Sequence, residues 1–240
     1  MGPTMFRTLA AAVVFGLLML APAQAAPSTY NWSGFYIGVN AGGGMANGAF
    51  TDDCYFCATD AFDDGFAVAG GQLGFNWQNG AAVFGLVGDF DWTSLDRSGL
   101  LGADDSDILH ENLKLSWLAT IRARAGLTID RALLFVSAGP AFGHIDAPGV
   151  EFCCSLPGTP DGNFFSSEGT RTGLVGGFGF EWAMDGGWSI SGEYLYFDLG
   201  EETAELTGVD AASCDPKECT VQNTLSGQLV RFSANWHFGT

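Results

Sequence analysis

Leu113-Lys114-Leu115-Ser116-Trp117-Leu118-Ala119-Thr120-Ile121-Arg122-Ala123-Arg124-Ala125-Gly126-Leu127-Thr128-Ile129 is the stretch on which the reading of the fold turns. Every odd-numbered residue in it is apolar, while Lys114, Ser116, Thr120, Arg122, Arg124 and Thr128 stand at even positions. Successive side chains of a strand point to opposite faces, so a period of two predicts one strand with a continuous apolar face. Soluble strands usually run about 5–6 residues. This pattern lasts roughly three times as long.

The same period recurs elsewhere. Val230, Phe232, Ala234, Trp236 and Phe238 alternate with Arg231, Ser233, Asn235 and His237. Ala82, Phe84, Leu86, Phe90 and Trp92 share one face, and Val83, Gly85, Val87, Asp89 and Asp91 share the other. Leu174, Phe178, Phe180 and Trp182 oppose Arg171, Gly173, Val175, Gly177, Gly179 and Glu181. Eight strands are predicted, at 34–45, 65–78, 81–92, 113–129, 132–145, 170–184, 188–199 and 224–238.

The connections between them alternate in length. Asn79-Gly80, Asp130-Arg131 and Asp185-Gly186-Gly187 read as tight hairpin turns, Asn-Gly suiting type I′. The other four, near 46–64, 93–112, 146–169 and 200–223, span about twenty residues or more and hold twenty of the 27 acidic residues. Four such loops count against a compact soluble domain. They are the normal outer loops of a membrane-spanning barrel, which pairs short periplasmic turns with an even strand number.

Composition agrees. Charged residues are 15% of the 240, against about 25% in ordinary domains, and there are 35 glycines and 32 aromatics. Lys and Arg number 9 against 27 Asp and Glu, a net charge of −18, which argues against nucleic-acid binding. Aromatic abundance excludes disorder, and no internal stretch has the ~18 apolar residues of a spanning helix.

Arg7 is the only charge among the first 51 residues. Leu9 to Leu20 is apolar, and Ala23-Gln24-Ala25 follows as a small-x-small site. Residues 1–25 therefore read as a cleaved secretory signal peptide and 26–240 as one barrel domain. Export suits the six cysteines, Cys54, Cys57, Cys153, Cys154, Cys214 and Cys219, which are read as disulfide candidates with open connectivity. Cys54-x-x-Cys57 has neither a second matching pair nor a nearby histidine, so no metal site is assigned to it.

The predicted fold is all-β: an eight-stranded antiparallel up-and-down transmembrane barrel with short periplasmic turns and long extracellular loops. A secreted lipocalin-type barrel is the alternative, with the aromatic faces pointing inward. Strand length, loop alternation and the aromatic closing strand favour the membrane.

The mature start, Tyr30-Asn31-Trp32-Ser33-Gly34-Phe35-Tyr36-Ile37-Gly38-Val39-Asn40-Ala41-Gly42, resembles the opening of the small outer-membrane immunogenic proteins of alphaproteobacteria. These are porin-like, OmpA-like eight-stranded barrels. Glu193-Tyr194-Leu195-Tyr196-Phe197-Asp198-Leu199-Gly200 resembles their penultimate strand, and Val230 to Phe238 their closing strand. The resemblance implies the cell outer membrane and a largely structural, surface-exposed role. It also implies contact with outer-membrane lipid and lipopolysaccharide, and with the assembly machinery that reads a final aromatic residue. Here Gly239-Thr240 follow Phe238.

With the apolar faces in lipid, the charged faces turn inward. Arg122, Arg124, Arg171 and Arg231 are then placed inside opposite Asp89, Asp91, Glu181 and Glu193. A charge facing lipid is costly, whereas guanidinium forks pair bidentately with carboxylates of neighbouring strands, notably the third against the fourth. His110, His144 and His237 are far apart in sequence. Ser233, Asn235 and His237 share a strand face, but a strand with these three residues is common by chance. No catalytic residue, metal ligand or cofactor is assigned, and the chain is expected to be monomeric. Three roles remain open: a structural barrel presenting acidic loops, a small diffusion channel, and a surface receptor or adhesin. Loop carboxylates such as Asp52, Asp53, Asp104, Asp105, Glu201 and Glu202 read first as a plain solvated acidic rim, with weak divalent-cation binding as the functional alternative.

Overall fold

The computed structural model describes residues 30–52, 59–104, 107–152, 163–205, 207–208 and 220–238. Residues 1–25, read above as a signal peptide, and all six cysteines lie outside these. Nine strands form one sheet: β1 (Gly34–Asp52), β2 (Thr59–Asn79), β3 (Ala82–Asp104), β4 (Asp107–Ile129), β5 (Ala132–Phe152), β6 (Asn163–Ala183), β7 (Trp188–Glu205), β8 (Thr207–Gly208) and β9 (Thr220–His237). The two-residue β8 only caps the end of β6. The other eight are the staves. Each pairs antiparallel with its sequence neighbour, and β1 pairs with β9, so the sheet closes on itself with no free edge.

The strands outrun the sequence reading. Segments 46–52, 59–64, 93–104, 107–112, 146–152, 163–169 and 200–205 were expected as loop and are strand. In each of them the backbone pairs with a neighbouring strand, with register shifts between Trp92 and Leu95, Leu100 and Gly102, and Asp198 and Glu201. The sheet therefore stands well beyond the membrane on the side opposite the short turns.

One of the short turns differs in type from the expectation, and a second shares its geometry. Asn79 pairs with Ala82, and of the two residues between them only Gly80 has a positive φ, +63°. Asp130 repeats this between Ile129 and Ala132, with φ +54°. A positive φ at the first central residue alone is the type II′ pattern, not I′.

Orientation follows the membrane reading. Phe35, Leu73, Trp92, Ile121, Leu174 and Phe232 are exposed on the outer wall, while Asp89, Asp91, Arg122, Arg124, Glu181 and Arg231 are buried inside. At about 3.3 Å per residue and about 40° tilt, the eight steps from Phe84 to Trp92 rise about 20 Å. Trp77 packs on Phe84 at one rim, and Trp92 and Trp117 both pack on Phe90 near the other. These are the two aromatic girdles of an apolar band about 25 Å tall.

The turn-distal end of the decisive stretch, Leu113 to Leu115, changes sides. Leu113 and Leu115 are buried in the lumen, not lipid-facing as their period suggests. On β3 two residues, Thr93 and Ser94, oppose the single Ser116 of β4, and the Thr93 hydroxyl donates to the Leu115 carbonyl. Against β5 the extra residue is Ser116 itself, since Leu115 pairs with Ile145 and Trp117 with the adjacent His144. This β-bulge in β4 makes the inward residues step from Leu115 to Leu118 before the period resumes at Thr120, Arg122 and Arg124.

The lumen is layered. Near the short turns Trp32, Val83, Leu133, Phe135 and Ala183 pack together with Tyr30. Trp32 is held there by its backbone N–H donating to Gln78 Oε1 at 2.7 Å. The charged residues form the middle layer. Beyond them Phe62, Phe66, Leu95, Leu115, Phe197 and Leu229 belong to a second apolar layer. Eight strands leave an interior that side chains can fill, and here they fill it.

Candidate functional site: the charged layer of the lumen

Arg122 and Arg231 are carried by the inner faces of β4 and β9, which are not neighbours in the barrel. Arg122 places Nη2 2.8 Å from Asp89 Oδ2 and Nη1 2.5 Å from Glu193 Oε1. It also donates to the Thr120 and Ser137 hydroxyls, each at 2.9 Å. Arg231 places Nη1 2.9 Å from Asp89 Oδ1 and 2.8 Å from Asp91 Oδ2, and Nη2 3.0 Å from Glu193 Oε2. Both side chains are fully buried. Two guanidinium groups thus share three carboxylates, and the pairs run from β9 to β3 and from β4 to β7 across the lumen. Burying one such ion unpaired costs several kcal/mol, so the geometry is held only because each fork is filled.

A second cluster lies nearer the short turns. Glu181 accepts from Arg124 Nη2, from Ser189 Oγ at 2.6 Å and from Asn235 Nδ2 at 2.9 Å. Arg124 lies over the Phe135 ring, 3.8 Å from its centroid, and donates to the Tyr36 hydroxyl at 3.3 Å. Tyr36 has room because its register partner across β1–β2 is Gly74, where a Cβ would stand 2.4 Å from the ring.

Of the eight charged residues read from the sequence, the structure brings Arg122, Arg231, Asp89, Asp91 and Glu193 into one network and Arg124 with Glu181 into another. Arg171 is inside but joins neither. Its partner is Glu202, at 2.5 Å, with the Asn223 carbonyl at 3.4 Å. Glu202 was assigned to a loop and so was not read as an inner residue.

Sequence reasoning also missed Ser189. Its Oγ lies 3.0 Å from His237 Nε2, and Glu181 Oε1 lies 3.2 Å from that same nitrogen. A catalytic triad needs the carboxylate on the other ring nitrogen, so that the first is free to take the serine proton. Here Ser189 is bonded to Glu181 instead, and His237 is packed among Tyr30, Trp32 and Tyr36. The arrangement binds the barrel floor and does not activate a nucleophile.

An antiparallel closed sheet with lipid-facing girdles, a charged interior and no edge defines a transmembrane outer-membrane β-barrel. The family model described as "Outer membrane protein beta-barrel domain" matches residues 11–238, and the chain belongs to that family. It is 33% identical over 231 residues to the 31 kDa outer-membrane immunogenic protein of Brucella melitensis, covering 91% of this chain and 88% of that one. It is 26% identical over 220 residues to the 25 kDa outer-membrane immunogenic protein of Brucella abortus, covering 91% and 84%. A 22 kDa outer membrane protein of Rhizobium leguminosarum is 35% identical over 117 residues, covering 48% and 46%. The protein is an outer-membrane β-barrel protein, similar to the immunogenic outer-membrane proteins of these alphaproteobacteria.

Proposed function

We propose that this protein is a non-conducting structural barrel of the cell envelope, which holds a β-sheet platform above the outer membrane and does not pass solutes. The observation that carries this is the pair of guanidinium groups, Arg122 and Arg231, spanning the lumen to carboxylates on opposite walls. The apolar layers above and below them support it, since an ion entering the lumen would meet packed side chains at each level. The protein acts as a monomer in contact with lipid and lipopolysaccharide, delivered by the barrel-assembly machinery. Reconstitution in a planar bilayer tests this: conductance at the lipid baseline is expected, and a stable open-channel current from the wild-type protein overturns it.

A surface receptor or adhesin is a second reading. It is favoured by strands that remain paired far past the outer girdle, as β3 and β4 do over 23 residues each. Shortening these two strands between Ser94 and Ser116 should abolish such binding while leaving the transmembrane barrel assembled.

A further inference from the structure

His144, Asp146 and Glu168 meet on the outer wall of the barrel, and their potential ligand atoms all lie within 4.8 Å of one another. The sequence disguises this grouping. His144 and Asp146 are two apart on β5 and so share a face, but Glu168 comes from β6, where the register sets it directly opposite Asp146. Their face is the outer one, because Gly143 before them and Ile145 between His144 and Asp146 point into the lumen. His144 lies twelve residues from the start of β5, a rise of about 30 Å at ordinary strand pitch and tilt. That height is just above the outer girdle, where lipid headgroups begin.

The local chemistry is unusual for a plain solvated rim. Two carboxylates directly opposite each other across a strand pair repel, and the imidazole is the third member of the group. His144 is held flat against Trp117, with ring centroids 5.8 Å apart and planes 6° apart. That stacking aims Nε2 at Asp146 Oδ1, 3.5 Å away. The other Asp146 oxygen accepts from Ser116 Oγ at 3.1 Å, which orients the carboxylate as an outer-shell partner of a metal ligand does. Two donors bound tetrahedrally at about 2.0–2.1 Å stand about 3.3 Å apart. The Nε2–Oδ1 spacing is already close to that.

We propose that His144, Asp146 and Glu168 form a three-ligand site for a borderline divalent cation of the zinc class, on the outer wall at the headgroup level. One nitrogen with two carboxylate oxygens suits Zn²⁺ better than Mg²⁺ or Ca²⁺, which take oxygen ligands only. Three protein ligands leave the fourth position of a tetrahedral ion open, facing away from the barrel. A phosphate oxygen is the ligand within reach there. The site does not depend on whether the lumen conducts.

The test is calorimetric titration of the folded, detergent-solubilised protein with Zn²⁺, comparing wild type with H144Q, D146N and E168Q. The cysteines are present in every variant, so differences isolate the trio. Lys114 is the register partner of Asp146 on β4. H144Q and E168Q leave that pair intact and so separate metal binding from simple charge pairing. All three side chains point outward, so each variant should keep the folded, heat-modifiable gel band. The expected result is one Zn²⁺ equivalent fewer in each variant than in wild type, with no comparable binding of Mg²⁺. Equal stoichiometry in wild type and H144Q, or an E168Q protein that keeps the equivalent at unchanged affinity, overturns the site. Equal binding of Mg²⁺ and Zn²⁺ by wild type overturns it as well.

Discussion

Arg231 on β9 and Asp91 on β3 meet at 2.8 Å although 140 residues and two intervening strands, β1 and β2, separate them. The contact exists only in the closed barrel. It makes the charged layer a cross-brace and gives the closed state a cost of opening that no pair of adjacent strands would supply.

Removing one brace should therefore cost more than removing a surface charge. Arg231→Ala leaves Asp89 and Glu193 on Arg122 and takes from Asp91 its guanidinium, and about 3–5 kcal/mol of stability should be lost. Arg131→Ala breaks an exposed pair with Asp185 in a turn and should cost less than about 1 kcal/mol. Urea titration of the folded gel band for both variants measures the contrast. Similar midpoints would show that water already solvates the lumen.

The lipid face makes its own prediction. Ile121 is exposed on the outer wall between the girdles, with Thr120 and Arg122 buried beside it. Ile121→Arg should destabilise the barrel by about 2–4 kcal/mol in bilayers. Refolding yield into vesicles is the readout, and an unaffected Ile121→Arg would mean that the strand faces are reversed.

Trp32 is fully buried in the short-turn mouth. Trp32→Ala should cost about 3–5 kcal/mol by removing a large packed ring. Planar-bilayer conductance should nonetheless stay at baseline, because the charged layer above it is intact. A current appearing in Trp32→Ala alone would locate the barrier at the floor and not at the arginines.

Gly74 gives way to the Tyr36 ring, so Gly74→Val should overpack that level and cost about 1–3 kcal/mol. Combined with Tyr36→Ala, most of the Gly74→Val penalty should vanish. A double-mutant cycle of thermal unfolding tests this, and additive effects would remove the proposed contact.

Much of this was legible in the chain. The period of two over 117–129 and 230–238, the three tight turns, and the segregation of Arg122, Arg124 and Arg231 from Trp117, Ile121 and Phe232 follow from covalent geometry. Neighbouring side chains on a strand must point opposite ways, and a charge cannot face lipid. Those two facts are local, so the sequence alone determined the class of fold and the inward faces of most staves.

Tertiary structure decided the rest. The bulge at Ser116 turned Leu113 and Leu115 inward, although their spacing continues the outer pattern without a break. The partners of each arginine depended on which walls face each other after closure, which is why Arg171 met Glu202 and Arg231 reached Asp91. His144, Asp146 and Glu168 became neighbours through the β5–β6 register. Alternation within one strand is set by bonds, whereas register, bulges and cross-lumen contacts are set by the packing of strands distant in sequence. That packing is a property of the closed sheet as a whole.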